Sequence, residues 1–313
     1  MTDGAKSSNL TIGFIGLGAM GAGMAQSLAR GGFAVKGCDV RPAAVEALCA
    51  KGGSAAATPA KAADGSGLVV VVVVNAQQAE DVLFGPTGAV SAMEAGSTVM
   101  LCVTVPPDFA RDVEKRLGEK GIHFLDAPIS GGAARAMDGT MTIMASGSAD
   151  AFAATDGPMD AMAEKIYRLG DAAGPASTVK MINQLLAGVH IAAFGEAMAM
   201  GTAAGADPNA LFEVISNSAG SSWMFQNRVP QILAGDYTPL SALNIFVKDL
   251  GIVLEAGKAM RFPLPLSAAA HQIFMMGTAA GFGDEADAGV VRVYEHYAGI
   301  NVAETAKKFR GEA

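Results

Sequence analysis

The segment IGFIGLGAMGAGMA, residues 12–25, constrains the fold of this chain more than any other. Residues 10–15 are apolar and β-branched and read as a buried first strand. The chain then turns through Gly16, Gly18 and Gly21 into a run of Ala, Met, Gln and Leu that reads as a helix. The spacing Gly-x-Gly-x-x-Gly lets the turn tighten, lets backbone N–H groups approach a pyrophosphate, and lets the helix pack on the strand. The helix N-terminus adds partial positive charge where a diphosphate would sit. Glycines at this spacing say little alone in a chain with 39 of them, but two additions strengthen the signal. One is the strand-turn-helix context. The other is Asp39, at the end of the next apolar run, where an acid accepts hydrogen bonds from the adenosine ribose hydroxyls. A carboxylate there repels a ribose 2′-phosphate, so NAD is favoured over NADP. Arg41, two residues on, is the cation that could instead pair with such a phosphate.

Length and composition set the frame. At 313 residues the chain accommodates two domains with separate cores. Hydrophobic content of 51% against 17% charged excludes a disordered composition. A net charge of −8 and a pI near 5.0 argue against a nucleic-acid partner. Local cations can still hold a small anionic substrate. Cys38, Cys49 and Cys102 are far apart and read as reduced thiols, consistent with the cytoplasm. His123, His190, His271 and His296 form no ligand spacing, so no metal is expected. Residues 1–9 are polar and read as a disordered tail rather than a signal peptide. The valine run at 68–74 is too short to span a bilayer, and no membrane association is expected.

The first half alternates short β-branched runs with helical stretches. Strands are expected at 10–15, 34–38, 68–74, 98–103, 123–126, 141–145 and 166–169, with helices at 19–30, 42–50, 76–83, 107–120 and 149–163. This alternation predicts an α/β Rossmann domain, a doubly wound and mostly parallel sheet, over residues 10–174. Strand patterns then stop. Residues 175–313 read as all-helical, beginning with a long connecting helix over 175–204 capped by Ser177 or Thr178. The many Met and Ala residues there read as core filling.

Two further segments carry chemistry. DAPISGGAARAMDGTM, residues 126–141, holds Ser130, Gly131 and Gly132 after a strand. The segment is either a turn serving the fold or a nest of N–H groups for a carboxylate. In GDAAGPASTVKMINQLLAG, residues 170–188, Lys180, Asn183 and Gln184 stand at i, i+3 and i+4, on one helix face. Met181, Ile182, Leu185, Leu186 and Ala187 surround them. Helix pattern alone leaves Lys180 as an exposed lysine. A position bordering an interdomain cleft would instead bury it, disfavour its charged form, and suit it to proton transfer.

These blocks, in this order, resemble the β-hydroxyacid dehydrogenase family, which includes 3-hydroxyisobutyrate dehydrogenase and tartronate semialdehyde reductase. The resemblance covers nearly the whole chain. It implies that Gly16, Leu17, Gly18, Ala19, Met20 and Gly21 bind the nicotinamide cofactor, with Asp39, Val74, Asn75, Thr104 and Lys248 adding further contacts. Thr104 keeps a hydroxyl that the family uses, while the serine before it is Val103 here. Lys248 belongs to the Lys-Asp-Leu triplet 248–250 at the nicotinamide end. Ser130, Gly131 and Gly132 are implied to bind substrate, and Lys180 and Asn183 to be catalytic, with Gln184 beside them. The strings VVNAQQAEDVLFG, SSWMFQNR and GDYTPLSALNIFVKDL resemble the L-threonate dehydrogenase branch. That likeness implies oxidation of L-threonate to 2-dehydro-L-erythronate with NAD.

The same fold with another substrate is the alternative: 3-hydroxyisobutyrate, tartronate semialdehyde, succinic semialdehyde or glyoxylate. A polyol acid needs a polar pocket, for which Asn217, Ser221, Ser222, Gln226 and Asn227 are candidates, or else an ordinary polar helix-turn. A non-catalytic dinucleotide-binding scaffold, or an imine reductase, is disfavoured by Lys180. Relatives of this kind form homodimers or homotetramers, and such assembly is expected here.

Overall fold

The computed structural model describes residues 10–312; the tail expected at 1–9 lies outside them. The chain forms two compact units that divide between Met181 and Ile182.

The first unit alternates strands and helices in chain order: β1 (Thr11–Ile15), α1 (Gly21–Arg30), β2 (Ala34–Cys38), α2 (Pro42–Cys49), β3 (Ser54–Ala55), α3 (Pro59–Ala63), β4 (Leu68–Val71) and α4 (Ala76–Phe84). It continues with β5 (Thr98–Leu101), α5 (Pro107–Gly118), β6 (His123–Asp126), β7 (Ile129–Ser130), α6 (Gly132–Asp138), β8 (Met141–Gly147), α7 (Ala149–Met162) and β9 (Ala163–Arg168). The sheet order is β3-β2-β1-β4-β5-β6-β8-β7, with β9 on β8. From β3 to β6 all pairs are parallel; β8 runs antiparallel to β6 and β7. The expected doubly wound, mostly parallel sheet is therefore the architecture found.

Parallel strands covered by helices on both faces bury every side chain. β4 shows this: Leu68 and Val70 join the core containing Ile12, Phe14 and Met100, while Val69 and Val71 join the one containing Ile15, Val99 and Leu101. Strand order reverses between β1 and β4, which makes their C-terminal ends the topological switch point of the sheet.

Several element bounds differ from the sequence reading. β4 ends at Val71 rather than at residue 74: Val72 still donates to the Ile15 carbonyl at 2.8 Å, and the chain then turns to start α4. β5 likewise ends at Leu101. The two-residue strands β3 and β7 and the short helices α3 and α6 are too brief to show a period in sequence. β9 begins at Ala163, the last residue of the expected helix and three residues before the expected strand.

The second unit is helical. α8 (Pro175–Ala203) crosses into it and is followed by α9 (Pro208–Ser216), α10 (Trp223–Ala234), α11 (Leu243–Met260), α12 (Pro265–Ala279), α13 (Val291–Ala298) and α14 (Val302–Arg310). Asp207, Ser222 and Asn301 cap α9, α10 and α14 through their side-chain oxygens. Its core gathers Ile191, Phe194, Met198, Phe225, Leu250 and the stacked pair Phe246 and Phe274, whose ring centroids are 5.3 Å apart. Methionine is only partly core filling, since Met200 is 73% exposed. Among the described residues, α8 alone is long and apolar enough for a bilayer by length and composition, and 44% of its most apolar window is buried inside the fold.

Candidate cofactor and catalytic site

The fingerprint glycines have three separate physical reasons. Gly16 has φ +95°, and a Cβ there would stand 2.2 Å from the Val72 carbonyl oxygen, so the turn between β1 and α1 tolerates no side chain. A Cβ on Gly21 would stand 2.0 Å from the Gly16 carbonyl oxygen, which fixes how closely α1 packs on the turn. A Cβ on Gly18 would meet nothing within 4 Å. Protein packing does not require glycine there, and the open space admits the close approach of a diphosphate. A cavity of about 380 Å³ lined by Leu17, Gly18, Ala19, Ala22, Arg41, Ala43 and Ala44 opens beside it. Small side chains and a following helix N-terminus make this a cradle that fits the adenosine diphosphate half of a dinucleotide.

Asp39 follows the last residue of β2. Its Oδ2 accepts from the Leu17 N–H at 2.7 Å, and its Oδ1 accepts from the backbone N–H and Nε of Arg41 at 2.9 and 3.1 Å. Partial burial pushes the carboxyl up, but the Arg41 and Leu17 hydrogen bonds outweigh it and hold Asp39 below its ordinary value. Arg41 also donates to the Leu17 carbonyl at 2.9 Å. The sequence left Arg41 as a possible phosphate partner; its guanidinium is instead paired with Asp39 and the turn. Asn75 spends its side-chain oxygen capping α4, accepting from Gln78 N–H at 2.8 Å, while Val74 N–H donates to Gln78 Oε1 at 2.9 Å. Thr104 follows β5 at the same edge of the sheet and is half-buried.

The segment 126–132 divides into two roles. Ser130 ends β7, paired with Thr142 of β8, and the two glycines after it have φ +143° and +77°, open to a ligand's approach at Gly132. Asp126 faces the other way. Fully buried, it accepts from Gly174 N–H at 3.0 Å, Ser177 N–H at 2.9 Å and the Ser177 hydroxyl at 2.7 Å. Burial pushes its carboxyl up, opposed by the hydrogen bonds from Ser177, Gly174 and Ser146. Ser177 was expected to cap α8. The helix starts two residues earlier, at Pro175, and the capping carboxylate is Asp126 from β6. This long-range cap has no local sequence signal beyond the acid that opens the motif.

Lys180 lies one turn after Ser177 and is 6% exposed, not the exposed lysine that helix pattern alone leaves. Gln184 is buried too, whereas Asn183 is exposed, and Ile182 and Leu186 are about half exposed rather than part of an apolar jacket. Asn183 donates from Nδ2 to Gln184 Oε1 at 3.0 Å. In α11, Lys248 forms an ion pair with Asp249 at 2.5 Å, and Asp249 accepts from Gln184 Nε2 at 2.5 Å. The sequence singled out Lys248 and passed over Asp249.

The polar set proposed for a polyol pocket is committed to its own turn. Asn217 Nδ2 donates to the Glu213 carbonyl at 2.9 Å, Ser222 caps α10, and Gln226 Nε2 donates to Ser216 O and Ser221 Oγ at 3.1 Å each. Asn227 Oδ1 accepts from Arg228, which pairs with the buried Asp287 at 2.7 Å. These hydrogen bonds are those of an ordinary polar helix-turn. Among the described residues no cluster of His, Cys, Asp and Glu suits a metal, and all three cysteines are free thiols.

Residues 11–170 match the family model of the NAD-binding domain of 6-phosphogluconate dehydrogenase. Residues 174–294 match that of the NAD-binding domain of NADP-dependent 3-hydroxyisobutyrate dehydrogenase. The chain is 56% identical to L-threonate dehydrogenase of Cupriavidus necator over 90% of its length and 95% of that protein's. It is 44% identical to L-threonate dehydrogenase of Haemophilus influenzae, covering 92% of this chain and 96% of that one. A crystal structure of 3-hydroxyisobutyrate dehydrogenase from Salmonella typhimurium superposes with a TM-score of 0.86 at 44% identity, covering 91% of this chain and 100% of the other.

Proposed function

We propose that this chain, which belongs to the 3-hydroxyisobutyrate dehydrogenase-like family of NAD-dependent oxidoreductases acting on alcohol carbons, oxidises L-threonate at C2 to 2-dehydro-L-erythronate. The observation that carries the substrate is the 56% identity to an L-threonate dehydrogenase over nine-tenths of the chain. The turn at Gly16–Gly21 with Asp39 holds NAD, and Val74, Asn75, Thr104 and Lys248 supply its further contacts. When bound, NAD provides the acceptor for the hydrogen and electron pair that leave the alcohol carbon.

The chain's own residues place the alcohol and move its proton. Lys180, acting as the neutral amine, takes the hydroxyl proton from the substrate oxygen. Asn183 holds that hydroxyl in line, with Gln184 behind it. Ser130 Oγ and the backbone N–H groups at Gly131 and Gly132 grip the carboxylate and so select which carbon reacts. Burial of Lys180, 6% exposed on α8, is the observation that supports this assignment. Reduced thiols and an acidic surface support a cytoplasmic enzyme, and the half-exposed apolar residues of α8 support assembly as a homodimer or homotetramer.

A second reading, 3-hydroxyisobutyrate as substrate, is favoured by the Salmonella structure, and tartronate, succinic semialdehyde and glyoxylate chemistry belong to the same alternative. One experiment separates them: a panel of these acids and aldehydes assayed with NAD and NADP side by side. The reading predicts the highest kcat/KM for L-threonate with NAD. Equal or greater turnover of 3-hydroxyisobutyrate overturns the substrate, and absence of turnover with every acid overturns the enzyme assignment.

A further inference from the structure

Gly23, Ser27 and Arg30 stand at i, i+4 and i+7 of α1, on one face, and all three meet the C-terminal end of α6. A Cβ on Gly23 would stand 2.6 Å from the Met137 nitrogen and 2.7 Å from the Ala136 carbonyl carbon, so the two backbones touch there directly. Ser27, 3% exposed, donates its hydroxyl to the Ala136 carbonyl at 3.1 Å. Arg30 donates to the Ser27 oxygen at 2.7 Å and to the Met137 carbonyl.

None of the three contacts serves α1 by itself. Glycine inside a helix is less favourable than alanine, and it is the nearness of α6 that leaves no room for a methyl at position 23. The last carbonyls of a helix find no partner within it, and a hydroxyl and a guanidinium beside them satisfy that end of α6 and suit its partial negative charge. α6 spans only seven residues, Gly132–Asp138, so the end gripped by α1 and the end that begins at Gly131 and Gly132 shift as one piece. α1 itself opens with Gly21 of the cofactor turn. One helix thus carries the diphosphate cradle at its start and the grip on the substrate segment along its face.

We propose that Gly23, Ser27 and Arg30 are positioning residues that fix the carboxylate-binding segment 130–132, through α6, against the helix that receives the cofactor. Gly23 sets the distance between the two helices, and Ser27 with Arg30 sets the tilt of α6. The directions of the Gly131 and Gly132 N–H groups follow from both. This rests on the assignment of Ser130, Gly131 and Gly132 to the substrate carboxylate.

The test compares wild type with Gly23→Ala, Ser27→Ala, Arg30→Ala and Arg30→Lys, each checked for folding by thermal melting. Arg30 is exposed, so its variants leave the core intact even if the other two fail to fold. L-threonate is titrated calorimetrically into the NADH-loaded enzyme, where it cannot be oxidised, and NAD into the free enzyme. The expected result for the alanine variants is a Kd and a KM for L-threonate about 10-fold higher, with a smaller change in kcat and NAD affinity within about twofold of wild type. Arg30→Lys keeps a cation at the Met137 carbonyl and should recover much of the loss. Backbone 1H–15N spectra without cofactor give a readout free of turnover: the Gly131 and Gly132 signals should move in Arg30→Ala and return toward wild type in Arg30→Lys. Variants that melt earlier yet keep the wild-type Kd, KM and glycine signals overturn the proposal, because the contacts then serve stability alone. An equal loss of NAD affinity also overturns it, since the damage would lie in α1 itself. A Ser130→Ala enzyme that binds L-threonate like wild type sinks the carboxylate assignment instead, while the glycine signals still decide whether α1 orients the segment.

Discussion

Asp126 and Ser177, 51 positions apart in sequence, are bound to each other twice: Oδ2 accepts the Ser177 N–H at 2.9 Å and Oδ1 accepts its hydroxyl at 2.7 Å. With the Gly174 N–H, also on Oδ2, three donors at the start of α8 converge on one carboxylate from the end of β6. The helix that carries Lys180 is thus fixed to the sheet of the first unit one turn before the lysine. A motif that reads as a substrate loop also anchors the start of α8.

Replacing Asp126 by Ala should therefore destabilise the protein by about 3 kcal/mol, because buried donors lose their acceptor. Asp126→Asn should cost less, and still lower kcat about tenfold by loosening the placement of Lys180. Chemical denaturation with steady-state kinetics measures both. Wild-type stability in Asp126→Ala would contradict the clamp.

The fingerprint glycines should separate binding from folding. Gly18→Ala meets open space in the protein, so its stability should stay within about 0.5 kcal/mol of wild type while NAD affinity falls. Gly21→Ala drives a methyl to 2.0 Å from the Gly16 carbonyl and should lower the melting temperature itself. Calorimetry with and without NAD distinguishes them. Retention of NAD binding in Gly18→Ala would show that the diphosphate lies elsewhere.

Asp39 carries a pH prediction. Its folded value lies below its ordinary 3.8, so the unfolded chain binds its proton more readily. The stabilisation is complete above 3.8 and is lost as pH falls through the lower folded value. In urea titrations between pH about 5 and about 3, wild type should lose stability relative to Asp39→Asn. The opposite slope would show that Arg41 and Leu17 do not govern the carboxyl. Asp39→Ala should also narrow the preference for NAD over NADP.

Val179, Ile182 and Leu186 form a stripe of half-exposed apolar side chains along α8. Burial of that stripe between subunits predicts a homodimer or homotetramer in sedimentation. A monomer at working concentration would reject it.

Much of this was legible in the chain. The strand-turn-helix fingerprint, Asp39 and the alternation of elements announce the Rossmann sheet, because local period and turn chemistry decide them. β3, β7, α3 and α6 escaped notice, being stabilised by neighbours in space rather than by their own pattern. The same reason hid Asp126 and Asp249. Each acts on residues more than 45 positions away, Ser177 and Gln184 respectively, and only tertiary contact reveals the pairing. Conversely, residues 217–227 looked like pocket polar groups because sequence shows the donors and not the turn carbonyls that already occupy them.

The central claim is that Lys180 moves the proton of the substrate hydroxyl, and the Lys180→Met variant tests it most directly. Methionine matches the length of the lysine stem without its amine, so fold and NAD affinity should be kept while kcat for L-threonate falls about 10²–10⁴-fold. Lys180→Arg should not restore the rate, because a guanidinium stays protonated. Wild-type oxidation should rise with pH, and the residual rate of Lys180→Met should lose that dependence. Near-normal turnover by a folded, NAD-binding Lys180→Met would contradict the account, since the proton would then leave by another group.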